Sequence, residues 1–163
     1  MQLKWALFKG ISLTSKLIKF WTRSEYSHVG FLLNECVLIE CWGASSPFDV
    51  KWGFSIPPFS KHRKNTHVEI WCLDVSKQEF EFVTGFMLRL AQLEYKYDWL
   101  GVIGFVLKVD KHNRSGFFCS EGCIYPLVKA KGWKSIKPHH VSPAEFVNII
   151  EAAGAKLEKS FVL

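Results

Sequence analysis

The stretch YSHVGFLLNECVLIECW, residues 26–42, decides the fold. Two strand-like runs, Tyr26 to Leu33 and Val37 to Trp42, flank a polar break at Asn34-Glu35, the pattern of a β-hairpin. His28 stands in the first run. Glu40 interrupts the second, and a carboxylate beside Val37, Leu38 and Ile39 needs a partner if it is buried. Register decides whether His28 is that partner. A two-residue turn at Asn34-Glu35 puts the two side chains on opposite sheet faces, whereas a three-residue loop brings them to one face. The longer loop is expected, and Gly30 leaves room for a ligand beside the imidazole.

Working outward, Ser12 to Trp21 carries Leu13, Leu17, Ile18 and Trp21 at helical spacing, with Lys16 and Lys19 elsewhere, which predicts a short amphipathic helix. Phe48 to Phe54 reads as a third strand, Ser55 to Thr66 as a loop with Pro57-Pro58 and the basic run Lys61 to Lys64, and His67 to Leu73 as another strand. Ser76 and Glu79 have capping-box spacing and open a helix with Phe80, Val83, Met87, Leu90 and Leu93 on one face. Ser142, Pro143 and Glu145 open a second, ending near Gly154, and Ala155 to Leu163 suits a final strand. Strands grouped before helices predict an α+β fold, a small antiparallel sheet packed against helices, in one domain over residues 1–163.

Hydrophobic residues make up 48% and aromatics 15% of the chain, which excludes disorder and predicts a well-filled core. The formal charge of +6 suits nucleic acid, an anionic membrane surface or an acidic cell-wall polymer, and chooses none of them. Lys61 to Lys64 and Lys129, Lys131, Lys134 and Lys137 read as solvated faces, so no nucleic-acid partner is expected. Five cysteines form an odd set without disulfide spacing. Cys36, Cys41 and Cys72 fall in apolar runs as small hydrophobes, and a reducing compartment is the simpler reading. His62, His67, His112, His139 and His140 form no CxxC or HxxxH pattern with the cysteines, and no glycine-rich phosphate loop is present, so neither metal nor cofactor is expected. Met1 to Lys9 is a poor signal peptide, and the longest apolar run, Trp99 to Leu107, is far short of the ~20 residues a membrane helix needs. The expected setting is the cytoplasm or a phage-like particle, with no transmembrane segment.

Chemistry concentrates at Phe117-Phe118-Cys119-Ser120-Glu121, where an apolar run stops at a cysteine and a helix begins. Free N–H groups and the helix dipole there favour a thiolate, and can lower a cysteine pKa from ~8.5 to roughly 3.5–7.5. Cys119 is therefore the candidate nucleophile, His28 the base and Glu40 the group that orients the imidazole; Cys123, a turn deeper, suits a buried structural role. Tyr97, after the long helix, is the candidate hydroxyl for a developing oxyanion, or else an ordinary rim residue.

In this order the chain resembles the circularly permuted NlpC-like papain-fold hydrolases (the YiiX-like group). The matching stretches are Thr22 to Gly30 with Tyr26-Ser27-His28-Val29, Leu38 to Gly43 with Glu40, Tyr97-Asp98-Trp99, Phe118 to Glu121, and Val141-Ser142-Pro143. The resemblance implies a papain-like fold in which the histidine strand precedes the cysteine helix, with Cys119, His28, Glu40 and Tyr97 as site residues. It also implies a thiol-dependent amidase or peptidase acting on cell-wall peptides such as a peptidoglycan stem, or on related amides. One alternative is a lipid acyltransferase or thioesterase of the lecithin:retinol acyltransferase type, with Trp42, Phe48, Trp52, Phe54 and Trp99 lining an acyl channel or else filling the core. The other is a non-catalytic, particle-associated binding module.

Overall fold

The computed structural model describes residues 1–35, 37–42, 53–56, 59–93, 96–97 and 116–163. Six strands form one antiparallel sheet: β1 (Gln2–Lys9), β2 (His28–Leu32), β3 (Leu38–Trp42), β4 (Gly53–Ser55), β5 (His67–Asp74) and, last in the chain, β8 (Lys156–Val162). Their spatial order is β4-β3-β2-β1-β5-β8. A separate parallel pair joins β6 (Lys96–Tyr97) to β7 (Gly116–Phe117). The helices are α1 (Leu13–Thr22), α2 (Lys77–Gln92), α3 (Cys119–Lys131) and α4 (Pro143–Ala152). The α+β class and the antiparallel sheet agree with the sequence-based expectation.

The first strand does not. Met1 to Lys9 is read from sequence only for targeting, yet β1 is a central strand between β2 and β5. Leu3, Trp5 and Leu7 point to one face and Ala6 and Phe8 to the other, all of them buried. The hairpin strands are therefore the second and third of the sheet. Phe48 to Trp52 of the expected third strand lie outside the described residues, and Gly53–Ser55 is its described remainder.

Helices α2, α3 and α4 cover one sheet face. Val83, Met87 and Leu90 of α2, Ile124 and Leu127 of α3, and Phe146 and Ile150 of α4 close over Leu3, Trp5, Leu7, Val29, Phe31 and Ile39. Both expected capping boxes form: Ser76 Oγ accepts the Glu79 N–H at 3.2 Å, and Ser142 Oγ accepts the Glu145 N–H at 3.1 Å. Helix α3 is buried along most of its length and packs so closely that a Cβ at Gly122 would collide with the Phe54 ring. The opposite sheet face holds a smaller cluster of Ala6, Phe8, Leu32, Leu38, Val68 and Ile70. Side-chain alternation puts His28 and Gly30 on that second face, so an α3 residue meets His28 at the sheet's end.

Candidate active site

Cys119 is the first residue of α3, directly after the extended Phe118 (φ −96°, ψ 173°). The Phe118 side chain caps nothing, while Glu121 Oε2 accepts the Phe118 N–H at 3.4 Å. In this first turn the Ser120 N–H donates to the Cys119 sulfur. A second donor comes from the sheet. The β2–β3 ladder stops at Gly30–Glu40, and one residue beyond its end the Val29 N–H also donates to the sulfur.

His28 opens β2 and is hydrogen-bonded to Cys119. Its Nε2 lies 3.5 Å from Glu40 Oε2, which turns Nδ1 toward the thiol. The hairpin register supplies this arrangement: Gly30 faces Glu40, Leu32 faces Leu38, and the Leu33 N–H donates to the Val37 carbonyl at 2.8 Å. That is the three-residue register, with His28 and Glu40 diagonal on one face. The space beside His28 that the sequence assigned to a ligand belongs to Glu40 itself. A Cβ at Gly30 would stand 2.9 Å from Glu40 Cγ and 3.2 Å from Glu40 Oε1.

The charges support one another. Burial pushes the Cys119 thiol up, but the His28 imidazolium, its hydrogen bond and the two backbone N–H groups hold it below the ordinary value. Burial pushes His28 down, and the Cys119 thiolate and Glu40 carboxylate outweigh this and raise it to about 10. Burial would raise fully buried Glu40, and two imidazoles instead lower it to about 2. The two directions at Cys119 and His28 favour a thiolate–imidazolium pair at neutral pH.

The second imidazole is His62, which sequence reasoning placed in a solvated basic loop. A 3₁₀ turn at Phe59–Lys61 redirects the chain, and the His62 N–H donates to the Phe59 carbonyl at 3.0 Å. The His62 ring then stacks on Phe8 with centroids 3.8 Å apart, and its Nε2 lies 2.7 Å from Glu40 Oε1. One carboxylate therefore joins two imidazoles.

Tyr97 lies in β6 opposite Phe117, so the parallel pair places its backbone beside the segment that leads into Cys119. Asp98, Phe48, Trp52 and Trp99 lie outside the described residues, and Phe54 is part of the core against α3. Burial raises Cys41 and Cys123 well above the ordinary thiol value. Cys41 Sγ instead lies 3.2 Å from the Phe117 carbonyl as a donor. Among the described residues no cluster of three or more His, Cys, Asp or Glu side chains is arranged to hold a metal ion. In comparisons with known proteins, the chain matches no family model and, at a significant level, no curated protein.

Proposed function

We propose that this chain is a cysteine hydrolase of permuted papain-like arrangement that cleaves an amide or peptide bond, such as that of a peptidoglycan stem, through an acyl-thioester. The observation that carries the reading is the helix-start thiol bonded to an imidazole whose far nitrogen faces a buried carboxylate. The Cys119 thiolate attacks the substrate carbonyl carbon, and His28 gives its Nδ1 proton to the departing amine. His28 then takes a proton from water, the resulting hydroxide attacks the thioester, and the carboxylic acid leaves as the Cys119 thiolate and His28 imidazolium are restored. Glu40 holds the ring and favours its protonated form. Tyr97 is assigned a hydrogen bond to the oxyanion, a role worth about 10²–10³ in rate for a single donor.

The test is the pH dependence of iodoacetamide alkylation, with the modified cysteine located by mass spectrometry. Selective labelling of Cys119 below about pH 7, absent in Cys119→Ser and slowed in His28→Ala, is the expected result. Labelling with a midpoint near ~8.5, no faster than at the other cysteines, overturns the reading and favours a non-catalytic binding module. Turnover of a long-chain thioester in preference to a peptide amide would transfer the site to lipid acyl chemistry.

A further inference from the structure

Helix α1 is built inside out. Leu13, Leu17, Phe20 and Trp21 fall within about 100° of its circumference, the width of a core-facing stripe. Yet they are 76%, 53%, 75% and 55% exposed. The half-buried side is formed by Ser15, Ile18, Lys19 and Thr22.

Local contacts fix this orientation. Ser12 caps the helix by accepting the Ser15 N–H at 3.1 Å. The helix start lies so close to Gly10 that a Cβ there would collide with Ser15 Oγ, and the Gly10 N–H donates to Ser27 Oγ at 3.0 Å. Arg23 ends the helix in the left-handed conformation (φ 49°), its N–H turned back to the Lys19 and Phe20 carbonyls. The helix is thus held on both sides with its apolar stripe outward.

Charge identifies the occupant. Lys16 and Arg23 flank the stripe on one side, Lys19 lies behind it on the half-buried side, and no acidic residue occurs between Ile11 and Ser24; Glu25, which follows, is paired with Lys9 at 2.7 Å and lies within electrostatic reach of Lys19. Two aromatic rings and two leucines edged by Lys16 and Arg23 on one side and by neutral Thr14 on the other suit the boundary of an anionic bilayer, where apolar groups enter the acyl region and cations meet phosphate. A protein partner of the same apolar character would not call for the basic edge formed by Lys16 and Arg23. We propose that α1 docks the protein on anionic lipid bilayers, with Leu13, Leu17, Phe20 and Trp21 inserted and Lys16 and Arg23 on the headgroups. The helix leaves β1 just after Phe8 and returns to β2 just before His28, and these two residues are paired in the sheet. Docking therefore takes place at the His28 end of the sheet.

Docking is independent of the thiol chemistry, so the Cys119→Ser chain must bind as well as the native one, and loss of one property does not imply loss of the other. The experiment is vesicle flotation of the full chain with phosphatidylcholine alone and with mixed phosphatidylglycerol–phosphatidylcholine vesicles. Binding to the mixed vesicles, weakened by added salt, is expected. Phe20→Ser/Trp21→Ser should lower partitioning by about tenfold or more, with Leu13→Ser/Leu17→Ser as a second variant. Lys16→Glu/Arg23→Glu should remove the preference for phosphatidylglycerol. All of these side chains are exposed, and unchanged melting curves confirm folding. A native chain that does not float, or apolar variants that float equally well, overturns the proposal. Self-association lost in Phe20→Ser/Trp21→Ser, without vesicle binding, also overturns it and assigns the stripe to a second copy.

Discussion

Replacing Gly30 by alanine inserts one methyl group at the tightest point of the site. Gly30 has ordinary extended backbone, with no positive φ, so the effect is steric alone. The new Cβ would stand 2.8 Å from Leu38 Cδ1, 2.9 Å from Glu40 Cγ and 3.2 Å from Glu40 Oε1. Such contacts ordinarily rest at about 3.5–4.0 Å, so more than half an ångström must be found on each side. The β2–β3 ladder holds the backbone, and the Glu40 side chain must yield. Overpacking of this kind costs about 1–3 kcal/mol, less ~0.4–1 kcal/mol returned by the stiffer unfolded chain. At about 2–4 °C per kcal/mol for a chain of this size, the melting temperature should fall by several degrees. Glu40 is already 3.5 Å from His28, so its retreat should also slow Cys119 alkylation at pH 6 by about tenfold, one pKa unit of lost ion pairing. A cycle with Glu40→Ala makes the reasoning refutable. Two of the three obstructing atoms belong to Glu40, so the methyl should cost about half as much, or less, in that background. An equal cost in both backgrounds, or a Gly30→Ala chain that melts and alkylates like the native one, refutes the account.

Glu40→Gln keeps the shape of the side chain and removes its charge, and should shift the alkylation midpoint of Cys119 upward by about one unit or more. The same variant reports on stability against pH. Because folding lowers Glu40 from 4.5 to about 2, its contribution is present above 4.5 and is lost as pH falls toward 2. The native melting temperature should therefore drop faster on acidification than that of Glu40→Gln, and parallel curves would contradict the assignment. His62→Ala strips the 2.7 Å partner from a fully buried carboxylate and should cost about 1–3 kcal/mol in a denaturant melt. His62→Gln should restore part of this together with the alkylation profile, whereas restored stability with an unrestored profile would limit His62 to packing.

Much of the site was legible because its parts carry local signals. The Ser76 and Ser142 capping boxes, the apolar run stopping at Cys119 and the polar break at Asn34-Glu35 are each readable within a few residues. His62 was not, because its partners Glu40 and Phe8 are remote in sequence and a loop has no period to betray an inward side chain. Strand β1 had a usable signal, Leu3, Trp5 and Leu7 alternating with Gln2, Lys4 and Ala6, that a reading for targeting alone passes over. Helix α1 teaches the converse. Its period was legible, but which face turns inward depends on how Gly10, Ser15 and Ser27 fit together, and periodicity does not encode that.

The chain order of the site also sets when its thiol can wake during synthesis. At about 5–20 residues per second, β1, β2 and β3 leave the ribosome seconds before Cys119 does, so His28 and Glu40 can pair while the thiol is still unmade. When Cys119 emerges it is an ordinary protonated cysteine, since α3 must first wind and seat on the sheet before the Val29 and Ser120 N–H groups reach its sulfur. A half-made chain therefore holds this thiol in its ordinary protonated form. The lowered thiol pKa arrives as a late product of folding, and a chain that stalls or misfolds never acquires it.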